Sequence, residues 1–452
     1  MSVTILGFVC IALALFFIVS RRTDFLLYAA VFFSGFSGSS VVNIGDSPVQ
    51  PSLFFFALYF VVCLFRRNAS IALPKLLLIF FAYCAVSVLS AVLLSGSNIS
   101  IMDQQGEYSP LSFSASNLIH VGYLLISLLF LNCLLKFSPR NRAKLMKAYR
   151  LGFYAVVLIC LYQIMAFQFS LPFDELFRQS PNGNVQGNRL YGPCVEASML
   201  CYYLVPSAFL MVFGASKRKW LDIVFALLSV LVGFMTSSST FLVGVFVSLV
   251  CALLYFLVKK DTLKFVGCCS GIFLGILCLE IVQPGTISKT VAALSDKLAQ
   301  NNMSGQERMS SFVNMFSVGL RYPFGVGFGS ARSKDLLSTW VCNIGIFGFA
   351  IYFAFLLSIV PGGANKIILK LPFLITNLLM FISVSEPYNY FIWFLCFVAL
   401  AEKERSKIFV LDQWAKTPKR YSNCALPIVM LSTKSNVSNA SASVAENAES
   451  RF

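Results

Sequence analysis

Apolar runs of about 15 to 20 residues recur along nearly the whole chain, and most are long enough to cross a hydrocarbon core. A backbone in hydrocarbon must satisfy its own hydrogen bonds, so such runs become helices. The sequence therefore predicts an all-α, polytopic membrane protein with about 12–13 transmembrane helices. Spans are expected at 2–19, 25–42, 53–65, 76–94, 118–135, 151–169, 195–213, 221–235, 241–258, 265–282, 336–360, 371–384 and 390–400. The chain is 58% hydrophobic and 12% charged over 452 residues, a balance that excludes a soluble globular domain. Its 14 cysteines fall mostly inside the apolar runs, as at Cys10, Cys63, Cys84, Cys133, Cys160 and Cys251. They behave there as small hydrophobes, and neither a disulfide framework nor metal-ligand spacing emerges. No metal and no cofactor are expected.

A formal charge of +16 would suggest nucleic acid in a soluble protein, but here its placement matters more. One set of alternate loops holds Arg21 and Arg22, Arg66, Arg67 and Lys75, the cluster from Lys136 to Arg150, Lys217 to Lys219, Lys259, Lys260 and Lys264, and Lys366 and Lys370. By the bias of basic residues these loops are cytoplasmic. The other set carries Asp46, Asp103, Glu107, Asp174, Glu175 and Glu386, and faces outward. The first run has no basic residue before it and two after it, so it reads as a retained span with the N-terminus outside. Two regions follow: a transmembrane domain at 1–400, and a basic cytoplasmic tail at 401–452 that fades into the polar, disorder-prone NVSNASASVAENAES.

The large extracytoplasmic loop at 283–335 breaks this charge rule, because it keeps Lys289, Lys297, Arg308, Arg321, Arg332 and Lys334 on the translocated side. Ile287, Val291, Leu294 and Leu298 recur at helical spacing, which predicts an amphipathic helix on the membrane surface. Ser304 stands three residues before Glu307, a capping-box pattern that opens a second helix running through Met309, Phe312, Val313, Phe316 and Leu320. Arg308 then falls in the first turns of that helix, where exposed amides favour an anion nearby. Either Glu307 supplies it as a local ion pair, or a phosphate does, bound jointly by the amide end and Arg308 with Arg321 and Arg332 close by. Pro323 ends the helix, and GVGFG is a glycine-rich turn whose simplest reading is permissive backbone. Attraction to anionic headgroups is the plain alternative to a dedicated anion site. In the outward loop before the seventh span, turn residues present Arg189, and Glu196 stands at the start of the next helix. There it either satisfies that helix's positive end or accepts a proton from a hydroxyl. The lone His120 reads as an interfacial or hydrogen-bonded helix residue with no catalytic duty, and SSST at 237–240 as a tight turn or cap.

Three stretches, NRLYGPCVEASM, Arg308 through RYPFGVGFG, and NIGIFGFAIYF from Asn343, together resemble the O-antigen polymerase and O-antigen ligase superfamily of bacterial inner-membrane proteins. The similarity covers about 189–353. It implies a membrane-embedded glycosyltransferase that joins undecaprenyl-pyrophosphate-linked oligosaccharides into a surface polysaccharide, with the bilayer and a chain-length regulator as further partners. Ligases of this superfamily usually carry a His-Asn pair just before the span that follows the large loop. Here that region reads SKDLLSTWVCN, without histidine, which favours polymerase over ligase. The resemblance assigns Arg189 and Arg308 to the donor pyrophosphate, with Arg321 and Arg332 as further substrate-binding residues. Arg308 and Glu196 are the catalytic candidates, the former stabilising the leaving group and the latter activating the acceptor hydroxyl. A ligase is the nearest enzymatic alternative. A flippase or permease would share the composition, but such proteins place ionisable residues deep in their spans.

Overall fold

The computed structural model describes residues 2–45, 47–65, 71–102, 107–177, 189–214, 219–236, 238–260, 303–360 and 367–401, with six isolated positions between 260 and 303. All of these belong to one compact unit, Met1–Ser406. The tenth expected span, the surface helix at 287–298 and the basic tail therefore lie outside the described residues, apart from those isolated positions and the residues before 402.

The rest is helical, in the order α1 (Ile5–Val19), α2 (Asp24–Phe32), α3 (Pro51–Phe65), α4 (Lys75–Leu94), α5 (Ala115–Leu135), α6 (Pro139–Phe169), α7 (Asp174–Phe177), α8 (Ala197–Phe213), α9 (Lys219–Met235), α10 (Ser239–Lys259), α11 (Met303–Arg321), α12 (Leu336–Ile359), α13 (Leu371–Ser383) and α14 (Tyr390–Ala401). Five of them, within α4, α5, α6, α10 and α12, are long and apolar enough to cross a membrane. Side chains such as Phe8, Phe16, Leu89, Leu93, Phe246 and Leu257 are exposed along the helices. Apolar exposure on this scale would promote aggregation in water and is compatible with a multi-pass membrane protein. By contrast, α14 is buried at every position from Tyr390 to Leu400, which is why its sequence is apolar all round.

Two corrections apply to the all-α expectation. Short strands Ser2–Val3, Val42–Ile44 and Ser47–Val49 form an antiparallel sheet, and Ser100–Met102 pairs with Tyr108–Pro110. The second expected span also stops early, because a 3-10 turn at Phe33–Gly35 ends it. A Cβ on Gly35 would lie 2.6 Å from the Tyr203 ring, and one on Gly38 2.4 Å from the Cys194 carbonyl carbon. The chain leaves helical geometry there to pass tightly beneath the segment before α8, where the Gly38 amide donates to Pro193 O at 2.9 Å.

The helices sort charge to two ends. At one end Arg142 donates to the carbonyls of Leu135 and Phe137, Lys219 to those closing α8, and Lys370 to Val360 O. Asp222, fully buried, accepts from Tyr154 and pairs with Arg150 at 2.9 Å. Arg142, Lys219, Asp222 and Lys370 stand near helix ends, whereas Arg150 lies inside α6. The opposite end gathers the segments around 36–50, 95–114, 189–196, 328–335 and 384–389, and holds the candidate site.

Candidate functional site

The site is built around a break in α12. Gly345 has φ 66° and ψ −177°, outside helical geometry, a backbone region open essentially to glycine alone. The break frees two carbonyls, and the glycine-rich run takes both: the Val326 amide donates to Cys342 O at 2.9 Å and the Gly327 amide to Asn343 O at 3.0 Å. The Phe347 amide donates in turn to Pro323 O at 3.4 Å. GVGFG is thus a fitted element rather than a merely permissive turn. Its glycines at 325, 327 and 329 all have positive φ. A Cβ on Gly327 would sit 2.4 Å from that of Ala91, and one on Gly329 2.9 Å from that of His120. The sequence shows the glycines but not the broken helix they answer, because the break and the run are joined only in three dimensions.

Two asparagines then clamp the segment that follows. Asn117, fully buried on α5, donates to Phe328 O and Ser330 Oγ, both at 2.8 Å. Asn343 accepts from the Ala331 amide at 3.0 Å and donates to its carbonyl at 2.8 Å. Asp335 caps α12 by accepting from the Ser338 amide at 2.7 Å and also accepts from Ser333 Oγ at 3.0 Å. Burial pushes its carboxyl above the ordinary aspartate range, and these hydrogen bonds oppose that rise.

So positioned, Arg332 projects into a cleft with about 300 Å³ of empty space, part of it open to solvent, lined by His120, Phe328, Trp340, Asn343 and Tyr388 among others. Its side chain is 46% exposed and forms an ion pair with Glu386. Desolvation lowers the guanidinium pKa from its usual range, while Tyr388 and the charge of Glu196 raise it; an arginine remains charged under such shifts. His120 Nδ1 lies 2.9 Å from Tyr388 Oη. The Tyr388 phenol is pushed up, chiefly by burial, and stays protonated. Its loop is held where Trp393 Nε1 donates to Pro387 O at 3.0 Å.

Of the expected site residues, Arg332 lines the cleft and Glu196 lies near enough for its charge to act on Arg332. Glu196 is the N-cap residue of α8 and makes no capping bond; its carboxylate accepts from Ser198 Oγ, and its charge reaches Arg332. Arg189 opens the same segment, which is fixed to α6 where Gln163 Oε1 accepts from the amides of Tyr191 and Gly192 at 3.1 and 2.7 Å. Arg308 is exposed on α11. The expected capping box fails, because Ser304 lies inside α11, which is described from Met303 to Arg321. Glu307 pairs with Lys334 Nζ at 2.9 Å. That contact ties the start of α11 to the segment carrying Arg332. Arg321 closes α11 thirteen residues after Arg308, about 20 Å along the axis at 1.5 Å per residue. Arg321 does not line the cleft into which Arg332 projects. Sequence reasoning undervalued His120, Tyr388, Asn117 and Glu386. A sole histidine near a span's outer end was the available signal for the first of them; Tyr388 and Asn117 carried none. Among the described residues no group of three or more His, Cys, Asp or Glu side chains is placed to hold a metal ion. No family model, curated protein or solved structure matches the chain.

Proposed function

We propose that the chain is a polymerase that joins undecaprenyl-pyrophosphate-linked oligosaccharide repeat units into a surface polysaccharide at the outer face of the bacterial inner membrane. The observation that carries this reading is Arg332, a guanidinium clamped in a cleft at the end of the helix bundle away from the basic loops. In the reaction, an acceptor sugar hydroxyl forms a bond to the donor's anomeric carbon as the bond from that carbon to the pyrophosphate oxygen breaks. The electron pair leaves with the lipid pyrophosphate, and the hydroxyl proton passes to a base. Negative charge grows on the leaving group, so a guanidinium fixed beforehand lowers the barrier more than it strengthens ground-state binding. Arg332, with Arg189 and Arg308 at the rim, holds the pyrophosphate; Glu196 takes the proton. The chain then has its N-terminus outside and its tail in the cytoplasm.

One observation favours a second reading, a ligase that transfers finished glycan to a lipid acceptor. The histidine missing from the sequence just before α12 is supplied in space by His120, beside Arg332. Deleting the gene and analysing surface and lipid-linked glycans separates the readings. A polymerase deletion is expected to leave single repeat units on the surface acceptor. Long chains stranded on the carrier lipid would select the ligase, and single units trapped in the cytoplasmic leaflet would contradict both in favour of a flippase.

A further inference from the structure

We infer that α11 and the run after it form a re-entrant element: α11 descends into the bilayer beside α12, turns at Pro323–Gly325 near mid-depth, and returns along α12 to the site. This rests on the helices crossing a bilayer and not on the transferase reading.

The pairings along α11 and α12 rise together. Glu307 meets Lys334, Ser311 Oγ lies 3.2 Å from Ser333 Oγ, a Cβ on Gly319 would stand 2.2 Å from Val341 O, and the Phe347 amide reaches Pro323 O. Residues on α11 thus meet partners 22 to 27 positions later throughout, so the two helices run parallel and α11 is carried downward with α12. An independent ruler gives the depth. Tyr83 Oη donates to Phe324 O at 3.3 Å, and Tyr83 lies eleven residues from the site end of the 20-residue α4, about 16 Å down a helix that itself matches the ~30 Å hydrocarbon core.

A turn of irregular backbone at that depth is tolerated only where protein satisfies its polar groups. Val326 and Gly327 meet that condition through Cys342 O and Asn343 O, and Gly325 to Phe328 are buried. At 100° per residue, α11 carries three faces. Ser311, Met315 and Gly319 are buried against its neighbours; Gln306, Ser310, Ser317 and Arg321 are exposed and polar; Met309, Val313 and Leu320 are exposed and apolar at 47%, 55% and 52%. The apolar face continues through Phe324, whose ring lies 5.0 Å from that of Phe347. Phe347 in turn begins the exposed stripe of α12 with Ile346, Phe353 and Leu357. That continuity identifies acyl chains as what covers it. Arg321, two residues before the turn, then reaches upward along its stem toward the phosphate layer.

The test places a fluorescent amino acid genetically at positions 309, 313, 320 and 324, one per full-length protein, in nanodiscs of phosphatidylethanolamine and phosphatidylglycerol brominated either near the headgroup or near the acyl terminus. All four side chains are exposed, and positions 320 and 324 each report depth independently if one variant fails to fold. The expected result is that shallow bromines quench 309 more strongly and deep bromines quench 324 more strongly, the ratio reversing along the helix. Equal depth at all positions, which means a helix lying flat, would overturn the inference. So would absence of quenching at 320 and 324, which means cover by protein or water.

Discussion

Arg332→Ala is expected to slow glycan transfer by about 10²- to 10³-fold, the usual cost of removing one fixed group that stabilises developing charge. The loss should fall on kcat more than on KM, because the charge on the leaving pyrophosphate is greatest in the transition state. Arg332→Lys keeps the charge without the planar fork and should recover only part of the rate. The ion pair with Glu386 complicates the alanine variant by leaving a carboxylate unanswered, so Arg332→Ala/Glu386→Gln is the proper companion. If the double variant is as slow as the single one, the guanidinium acts on substrate; if it regains the parental rate, Arg332 serves only to neutralise Glu386. Arg321→Ala, at the far end of α11, should change the rate little by comparison. Each variant is compared at equal amounts of inserted protein, with chain-length distributions as the readout.

Gly345→Ala is expected to be among the most destabilising single-methyl additions in the chain. The new Cβ would stand 2.0 Å from Pro323 O, and its φ of +66° is costly for any side chain, at about 1–3 kcal/mol before the clash is counted. Relief requires moving the Pro323–Gly325 turn, which also removes acceptors from the amides of Val326 and Gly327. A total loss above about 3 kcal/mol follows. Gly122→Ala on α5 is the control: a Cβ there would have nothing within 4 Å, so the change should be neutral or stabilise by about 0.5–1 kcal/mol through helix propensity. Thermal unfolding in nanodiscs distinguishes them. Equal midpoints would show that the kink at Gly345 is not what holds the glycine-rich run.

Much of the helical layout was legible because hydrocarbon leaves the backbone so little choice. The expected spans at 76–94, 195–213 and 336–360 differ from α4, α8 and α12 by a residue or two at their ends. Two errors came from the same source: a hydropathy pattern does not register contacts between distant segments. The span starting at Phe25 was drawn too long because Gly35 and Gly38 are apolar-neutral letters until Tyr203 and Cys194 are seen above them. Ser304 reads as a cap because the pattern cannot show that the helix already includes it. At the site, the arginines were visible as cations in the long polar loop, yet charge placement alone could not separate Arg332, which enters a cleft, from Arg321, which does not line it. His120 shows the limit most plainly. A lone histidine on an apolar helix is ordinarily a packing residue, and its meeting with Tyr388 joins positions 268 apart in sequence.

The most direct test of the central claim uses the purified full-length protein in nanodiscs, with undecaprenyl-pyrophosphate-linked repeat units as the only substrate and no nucleotide sugar. The expected result is a ladder of lipid-linked glycans lengthening by whole repeat units, with one equivalent of undecaprenyl pyrophosphate released per bond, and release slowed about 10²- to 10³-fold in the Arg332→Ala protein. Repeat units that remain single, while the same preparation is folded and binds the lipid-linked substrate, would contradict the assignment.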